Sequence, residues 1–200
     1  MTPRRAKPRP VEPSTAAPRT VPPRPARTRI LDRGALLRLA SRLRLLRPRP
    51  RLVLANGLFD LLHVGHLRYL EGAKRCGDFL VVAVNDDRSA RRLRGPGRPI
   101  VPARQRGLLV AALRAVDAVV LFGGPTAAPL LNRLRPDVHC KGTDYTESGV
   151  PERDVVRAYG GRTRIVGDPK RHASTSIIAR IARRGRRSRP VPRRSRFRDI

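Results

Sequence analysis

From residue 51 onward, short apolar runs rich in valine and leucine alternate with longer stretches whose apolar positions recur every three or four residues. The runs are RLVLA (51–55), FLVVAV (79–84), AVVLF (118–122), DVHC (137–140) and TRIV (163–166). Short continuous apolar runs are what strands buried on both faces show, and the stretches at 66–76, 103–115, 127–134, 151–158 and 175–183 read as helices. Strands alternating with helices predict an α/β fold, a mostly parallel sheet of five strands covered on both faces. A leading helix precedes them: Leu36, Leu37, Ala40, Leu43 and Leu46 fall at helical spacing, Asp32 is its predicted cap, and Pro48 and Pro50 stop it. In such sheets ligands bind beyond the carboxyl ends of the strands, where the topology reverses. That rule directs the search to 56–66, 85–87 and the residues after Cys140.

The ends of the chain do not share this pattern. Residues 1–30 hold eight prolines and eight basic residues against one acidic residue, and residues 183–200 hold nine arginines against Asp199. We read both as disordered basic tails flanking one domain at 31–182. The whole chain of 200 residues carries a formal charge of +30, but the central 152 residues carry only half of it. Arginine outnumbers lysine by 41 to 4, so compositional bias and solvated tails account for the charge, and nucleic acid is not the expected partner. Aromatics are 4% and tryptophan is absent, which excludes ring-stacking platforms for sugars or RNA bases. No run approaches the roughly 20 apolar residues of a membrane span. No membrane partner is expected, and with two cysteines a cytoplasmic, reducing location is.

The first strand runs into Asn56-Gly57-Leu58-Phe59-Asp60-Leu61-Leu62-His63-Val64-Gly65-His66, followed directly by the helical pattern LRYLEGAKR. Two imidazoles three residues apart, with Gly65 between them, share one side of a turn that opens a helix. Free amides and the positive end of the helix dipole add attraction for phosphate there, and glycine lets the backbone come close. An imidazole donates to a phosphoryl oxygen in either charge state, so the pair can stabilise charge developing at phosphorus. A third ligand at metal spacing is missing, so no protein-held metal is assigned.

With G-x-F-D upstream at Gly57, Phe59 and Asp60, and H-x-G-H at His63, Gly65 and His66, the sequence resembles the cytidylyltransferase-like nucleotidyltransferases. The stretches NDDRSARRLRGPGRP, VDAVVLF, KGTDYT, YGG and ASTSII extend the resemblance over most of 31–182, closest to the domain that adenylylates D-glycero-β-D-manno-heptose 1-phosphate. The resemblance implies a Rossmann-like three-layer sandwich that binds ATP with Mg2+ and a phosphorylated sugar. It implies that His63 and His66 hold the nucleotide phosphates and are catalytic, and that Asn56, Gly57, Phe59 and Gly65 pack on the nucleotide. Lys141, Gly142, Asp144 and Tyr145 match the segment near nucleoside and acceptor. Ser174, Thr175 and Ser176 match the turn that caps the outer phosphates, and Lys74, Arg92, Arg94 and Arg106 are its candidate phosphate contacts. It further implies either a stand-alone transferase or one half of a split pair, with a separate sugar kinase of the same pathway as a candidate partner and a homodimer as the candidate assembly.

Other readings stand beside these. His139 and Cys140 read as strand packing, and Asp86 and Asp87 as either a helix cap or magnesium contacts. A CTP-dependent enzyme for glycerol 3-phosphate or a related polyol phosphate shares the same motifs. A degenerate transferase fold binding nucleic acid through its tails is a third reading, against which the intact histidine pair argues.

Overall fold

The computed structural model describes residues 25–169 and 174–187; most of both expected tails, 1–24 and 188–200, lies outside the described residues. Six strands form one sheet: β1 Ile30–Leu31, β2 Leu52–Gly57, β3 Phe79–Asn85, β4 Ala118–Phe122, β5 Val138–Lys141 and β6 Arg162–Ile165. Their order is β1-β4-β3-β2-β5-β6, and every neighbouring pair is parallel. The expected five strands are therefore six. The additional one is the two-residue edge strand β1, pairing Ile30 with Val119 and Leu31 with Val120, too short for any period to announce it. It is pinned by Arg29, whose Nη1 donates to the carbonyls of Ala111 (3.2 Å) and Val116 (3.0 Å). The last residues of the segment read as a tail thus carry a 3-10 turn at Ala26–Arg29.

The helices are α1 Arg33–Leu45, α2 Val64–Lys74, α3 Asp87–Arg94, α4 Ala103–Ala112, α5 Ala128–Leu134, α6 Arg153–Ala158 and α7 Ser174–Arg187. Helix α7 carries past 182, into the segment read as the C-terminal tail. Asp32 caps α1 as predicted, its Oδ1 accepting from the Ala35 amide at 2.7 Å. No helix among the described residues is long and apolar enough to cross a membrane.

Alternate side chains of the central strands feed two separate cores, one per face. Val53, Ala55, Val82 and Val84 pack with Leu70, Ala73 and Val110 from α2 and α4. Leu52, Leu54, Val81 and Ala83 pack with Leu36, Ala40, Leu131 and Leu134 from α1 and α5. Each fully buried leucine or valine contributes about 2 kcal/mol, so this two-sided burial is what commits the runs to strands.

The amino ends of the strands are hemmed by three aspartates, each placed one residue before a strand. Asp78 accepts from the Arg51 amide (2.7 Å), Asp117 from the Leu80 amide (2.7 Å) and Asp137 from the Leu52 amide (2.8 Å). Lys74, at the last turn of α2, joins this hem, its Nζ donating to Asp117 (2.6 Å) and to the Asp78 carbonyl (2.6 Å). At the opposite end a completely buried Arg106 on α4 ties three segments together. It donates to Asp87 Oδ1 (2.7 Å), to the Val101 carbonyl (2.8 Å) and to the Leu58 carbonyl.

Arg106→Met should lower the unfolding free energy by about 3 kcal/mol, because Asp87 and two carbonyls lose their shared donor. Lys74→Met, at a site one-third exposed, should cost no more than about 1 kcal/mol. Urea unfolding of both variants measures this; equal losses would contradict the buried-strut assignment.

Candidate active site

The chain runs β2–β3–β4 to one side of the sheet and then crosses back to place β5 on the other side of β2. The reversal opens a crevice between the carboxyl ends of β2 and β5, the place where open parallel sheets bind ligands. A cavity of about 530 Å3 lies at this end of the sheet. Asn56 closes β2 on one side of it and Lys141 closes β5 on the other.

Phe59 shapes the loop after β2. It adopts a left-handed φ of 52°, turning its buried ring back beneath Gly57, where a Cβ would stand 3.1 Å from Phe59 Cε2. That ring supports His66 (centroids 5.3 Å apart) and Tyr69 (6.4 Å). Asp60 next to it is nearly buried and fully engaged: it accepts from Arg98 (2.7 Å) and from the amides of Ile100 (2.7 Å) and Val101 (3.0 Å). Burial pushes the Asp60 pKa up, but the Val101 amide, Arg98 and the Ile100 amide hold it below the ordinary value. The G-x-F-D aspartate is thus a clasp holding the 98–101 loop, with Arg98, at the cavity wall.

His63 is the cap of α2: its Nδ1 accepts from the Gly65 amide at 3.1 Å, which places the proton of the neutral ring on Nε2. Its ring stacks on His66 with centroids 3.9 Å apart and planes 27° from parallel, and both residues line the cavity. Burial, and then the charge of His63, drive the His66 pKa down to about 4. The Leu61 backbone offsets part of this, while the buried His66 Nδ1 makes no hydrogen bond of normal geometry among the described residues. At pH 7 His66 is therefore a neutral imidazole.

Of the residues singled out from the sequence, Asn56, Gly57, Phe59, His63, Gly65 and His66 form one wall. Lys141, Gly142, Asp144 and Tyr145 form another, with the Lys141 ammonium 4.6 Å from the centre of the Tyr145 ring. Arg94, Ser174 and Thr175 complete it, Ser174 Oγ donating to the Leu61 carbonyl at 3.2 Å.

Four expectations are corrected. Lys74 belongs to the aspartate hem at the amino ends of the strands and cannot meet a phosphate in this cavity. Arg106 is the buried strut, its guanidinium consumed by Asp87 and backbone carbonyls. Arg92, two residues from Arg94 on α3, and Ser176, two residues past Ser174 on α7, are exposed and outside the lining, since 200° of helical rotation turns them away. Asp86 is the cap of α3, accepting from the Ser89 amide at 2.7 Å, and Asp87 holds Arg106 and the Ala103 amide (2.8 Å).

Sequence reasoning missed Arg98, which lines the cavity, and Glu152, which is buried at its floor. Glu152 Oε2 lies 3.4 Å from Lys141 Nζ, and its Oε1 accepts from the Ala127 amide that opens α5 (3.1 Å). An acidic residue shortly before a helix reads as a cap, and only the fold shows that it meets Lys141. Among the described residues no group of three His, Cys, Asp or Glu side chains is placed to hold a metal ion.

Residues 54–183 match the profile of the Cytidylyltransferase-like family. The chain is 46% identical over 153 residues to the bifunctional protein HldE of Koribacter versatilis (strain Ellin345), covering 76% of this chain and 31% of that protein. It is 47% identical over 135 residues to HldE of Pseudomonas syringae pv. syringae (strain B728a), covering 68% of this chain and 28% of that protein. The chain therefore spans less than a third of the curated relatives it matches. Among solved structures, the lipopolysaccharide core biosynthesis protein from Thermoplasma volcanium GSS1 superposes with a TM-score of 0.50 at 30% identity, over 58% of this chain and 93% of that one. Pantoate-beta-alanine ligase from Francisella tularensis, at 15% identity and a TM-score of 0.50, over 73% of this chain and 68% of that one, shares the fold alone. The matched span takes in the β2 turn, the stacked histidines and the Lys141 segment, and the chain belongs to the cytidylyltransferase-like family of nucleotidyltransferases.

Proposed function

We propose that this protein transfers AMP from ATP to D-glycero-β-D-manno-heptose 1-phosphate, giving ADP-heptose and pyrophosphate. The observation that carries the transfer chemistry is the stacked pair His63 and His66 at the head of α2, facing a cavity large enough for a nucleotide and a second small ligand. The similarity to HldE and the KGTDY and NDDRSARRLRGPGRP segments support a heptose acceptor over glycerol 3-phosphate.

The reaction is one in-line displacement. An oxygen of the sugar 1-phosphate forms a bond to the α-phosphorus, the bond from that phosphorus to the bridging oxygen breaks, and pyrophosphate leaves with the electron pair. No side chain needs to act as a nucleophile. The chain contributes position and charge neutralisation: His63 Nε2–H and the neutral His66 ring meet phosphoryl oxygens, the α2 amides add donors, and Arg94, Arg98 and Lys141 supply cations around the cavity. Magnesium would arrive on the triphosphate, where it neutralises charge on the phosphate oxygens; the described carboxylates provide no cage of their own.

Pyrophosphate release should be seen with ATP and heptose 1-phosphate; release only with CTP and glycerol 3-phosphate would replace this reading by that of a cytidylyltransferase. His63→Ala and His66→Ala should each lower turnover by about a hundredfold or more while the variants remain folded at the assay temperature. Lys74→Ala, remote from the cavity, should stay within about twofold of the parent in the same assay. Because burial holds His66 neutral, its ring resonances in NMR should not titrate between pH 8 and pH 5 and should begin to move only as pH falls toward about 4. A midpoint near the ordinary 6.5 would contradict the neutral-donor role.

A further inference from the structure

His139 sits on β5 with no exposed surface, on the same face of the strand as Lys141, two residues on. Its Nε2 lies 3.0 Å from Asn56 Oδ1, so this contact bridges the two strands whose ends flank the crevice. From α2, the buried Tyr69 hydroxyl ties the same two strands, donating to the Cys140 carbonyl at 2.8 Å and reaching the Asn56 carbonyl at 3.4 Å. Asn56 is thereby held at both its backbone and its side chain.

The polarity of the His139–Asn56 bond follows from what surrounds it. Burial drives the His139 pKa down to about 4, with Glu152 opposing and Lys141 reinforcing the shift, so at pH 7 the ring carries a single N–H. Its Nδ1 is buried without a hydrogen-bond partner among the described residues. Were the Asn56 amide to donate to Nε2, the ring proton would have to reside on Nδ1 as an orphaned buried donor. With the proton on Nε2, donating to Asn56 Oδ1, Nδ1 is only an unused lone pair. Orphaned N–H groups are rarer and costlier than unused acceptors, so the second arrangement holds. It turns Oδ1 toward β5 and leaves both Nδ2 hydrogens of Asn56 without a hydrogen bond among the described residues, at the wall of the cavity.

We infer that His139 is a positioning residue: by donating Nε2–H to Asn56 Oδ1 it fixes the amide so that Nδ2 presents a donor to a phosphate oxygen bound in the crevice beside Lys141. Without it the amide can rotate and present its carbonyl to the anion, which repels it. The inference rests on the proposed nucleotidyl transfer, which brings phosphate to this crevice.

The test is a double-mutant cycle on ATP affinity, read by calorimetry with magnesium present, with pyrophosphate release measured in parallel. His139→Leu and Asn56→Ala should each weaken ATP binding by about tenfold, and the double variant should be no weaker than Asn56→Ala alone. His139→Gln, whose amide can donate to the same oxygen, should recover affinity to within about threefold. Nitrogen NMR of the parent protein should show the His139 proton on Nε2, a readout that holds even if His139→Leu fails to fold. Multiplying losses of about a hundredfold in the double variant, parent-like binding by His139→Leu, or a proton on Nδ1 would each overturn the inference. If the parent protein binds ATP with this coupling but releases no pyrophosphate, the positioning role stands and the transfer reading falls. If it releases pyrophosphate while the losses multiply, only the positioning role falls; a parent protein that binds no ATP overturns both.

Discussion

The site depends on a reversal of direction in a parallel sheet. Because β2 pairs with β3 on one side and β5 on the other, the connections leaving the ends of β2 and β5 diverge to opposite faces, and no backbone fills the space between them. The cavity is that space. Its walls are therefore supplied by whatever residues end the two strands and by the loops that diverge from them. Asn56, Lys141 and the histidine turn are neighbours across the crevice although as many as 85 positions separate them in sequence.

What holds the walls rigid is a set of buried groups, some behind the walls and some within them. Arg106 fixes the Leu58 carbonyl, and Asp60, one of the few buried carboxylates, fixes Arg98 and two amides. Phe59 takes a strained backbone conformation, and its ring then supports His66 from below. Glu152 performs a similar service for Lys141 and the start of α5. Charges removed from water are costly unless paired, so each of these groups is tolerated only in company. The result is a set of hydrogen-bond donors and cations held in place around the cavity.

The central architecture was legible because valine-rich runs with no polar alternation can be satisfied only between two helical layers. The histidine turn was legible because its spacing between strand and helix has a direct electrostatic meaning. The edge strand at Ile30–Leu31 was not, since two residues cannot display a period and a proline-rich stretch precedes them. Basic residues were the least legible class. Lys74, Arg92, Arg94, Arg98 and Arg106 look alike in a chain so rich in arginine, yet they divide among a hem, an exposed helix face, the cavity wall and a buried strut. Burial and partner, both properties of the folded chain, decide between those fates. His139 was read as packing, and it is buried; its contact with Asn56 emerges only from the register of β2 against β5.

The three aspartates that hem the sheet occupy the edge farthest from the chemistry. Each accepts an amide at the amino end of an adjoining strand, so the sheet is anchored at the rim away from the cavity. The loops at the other rim are released from that duty. Their side chains are left to line the cavity, while the scaffold beneath them keeps its register.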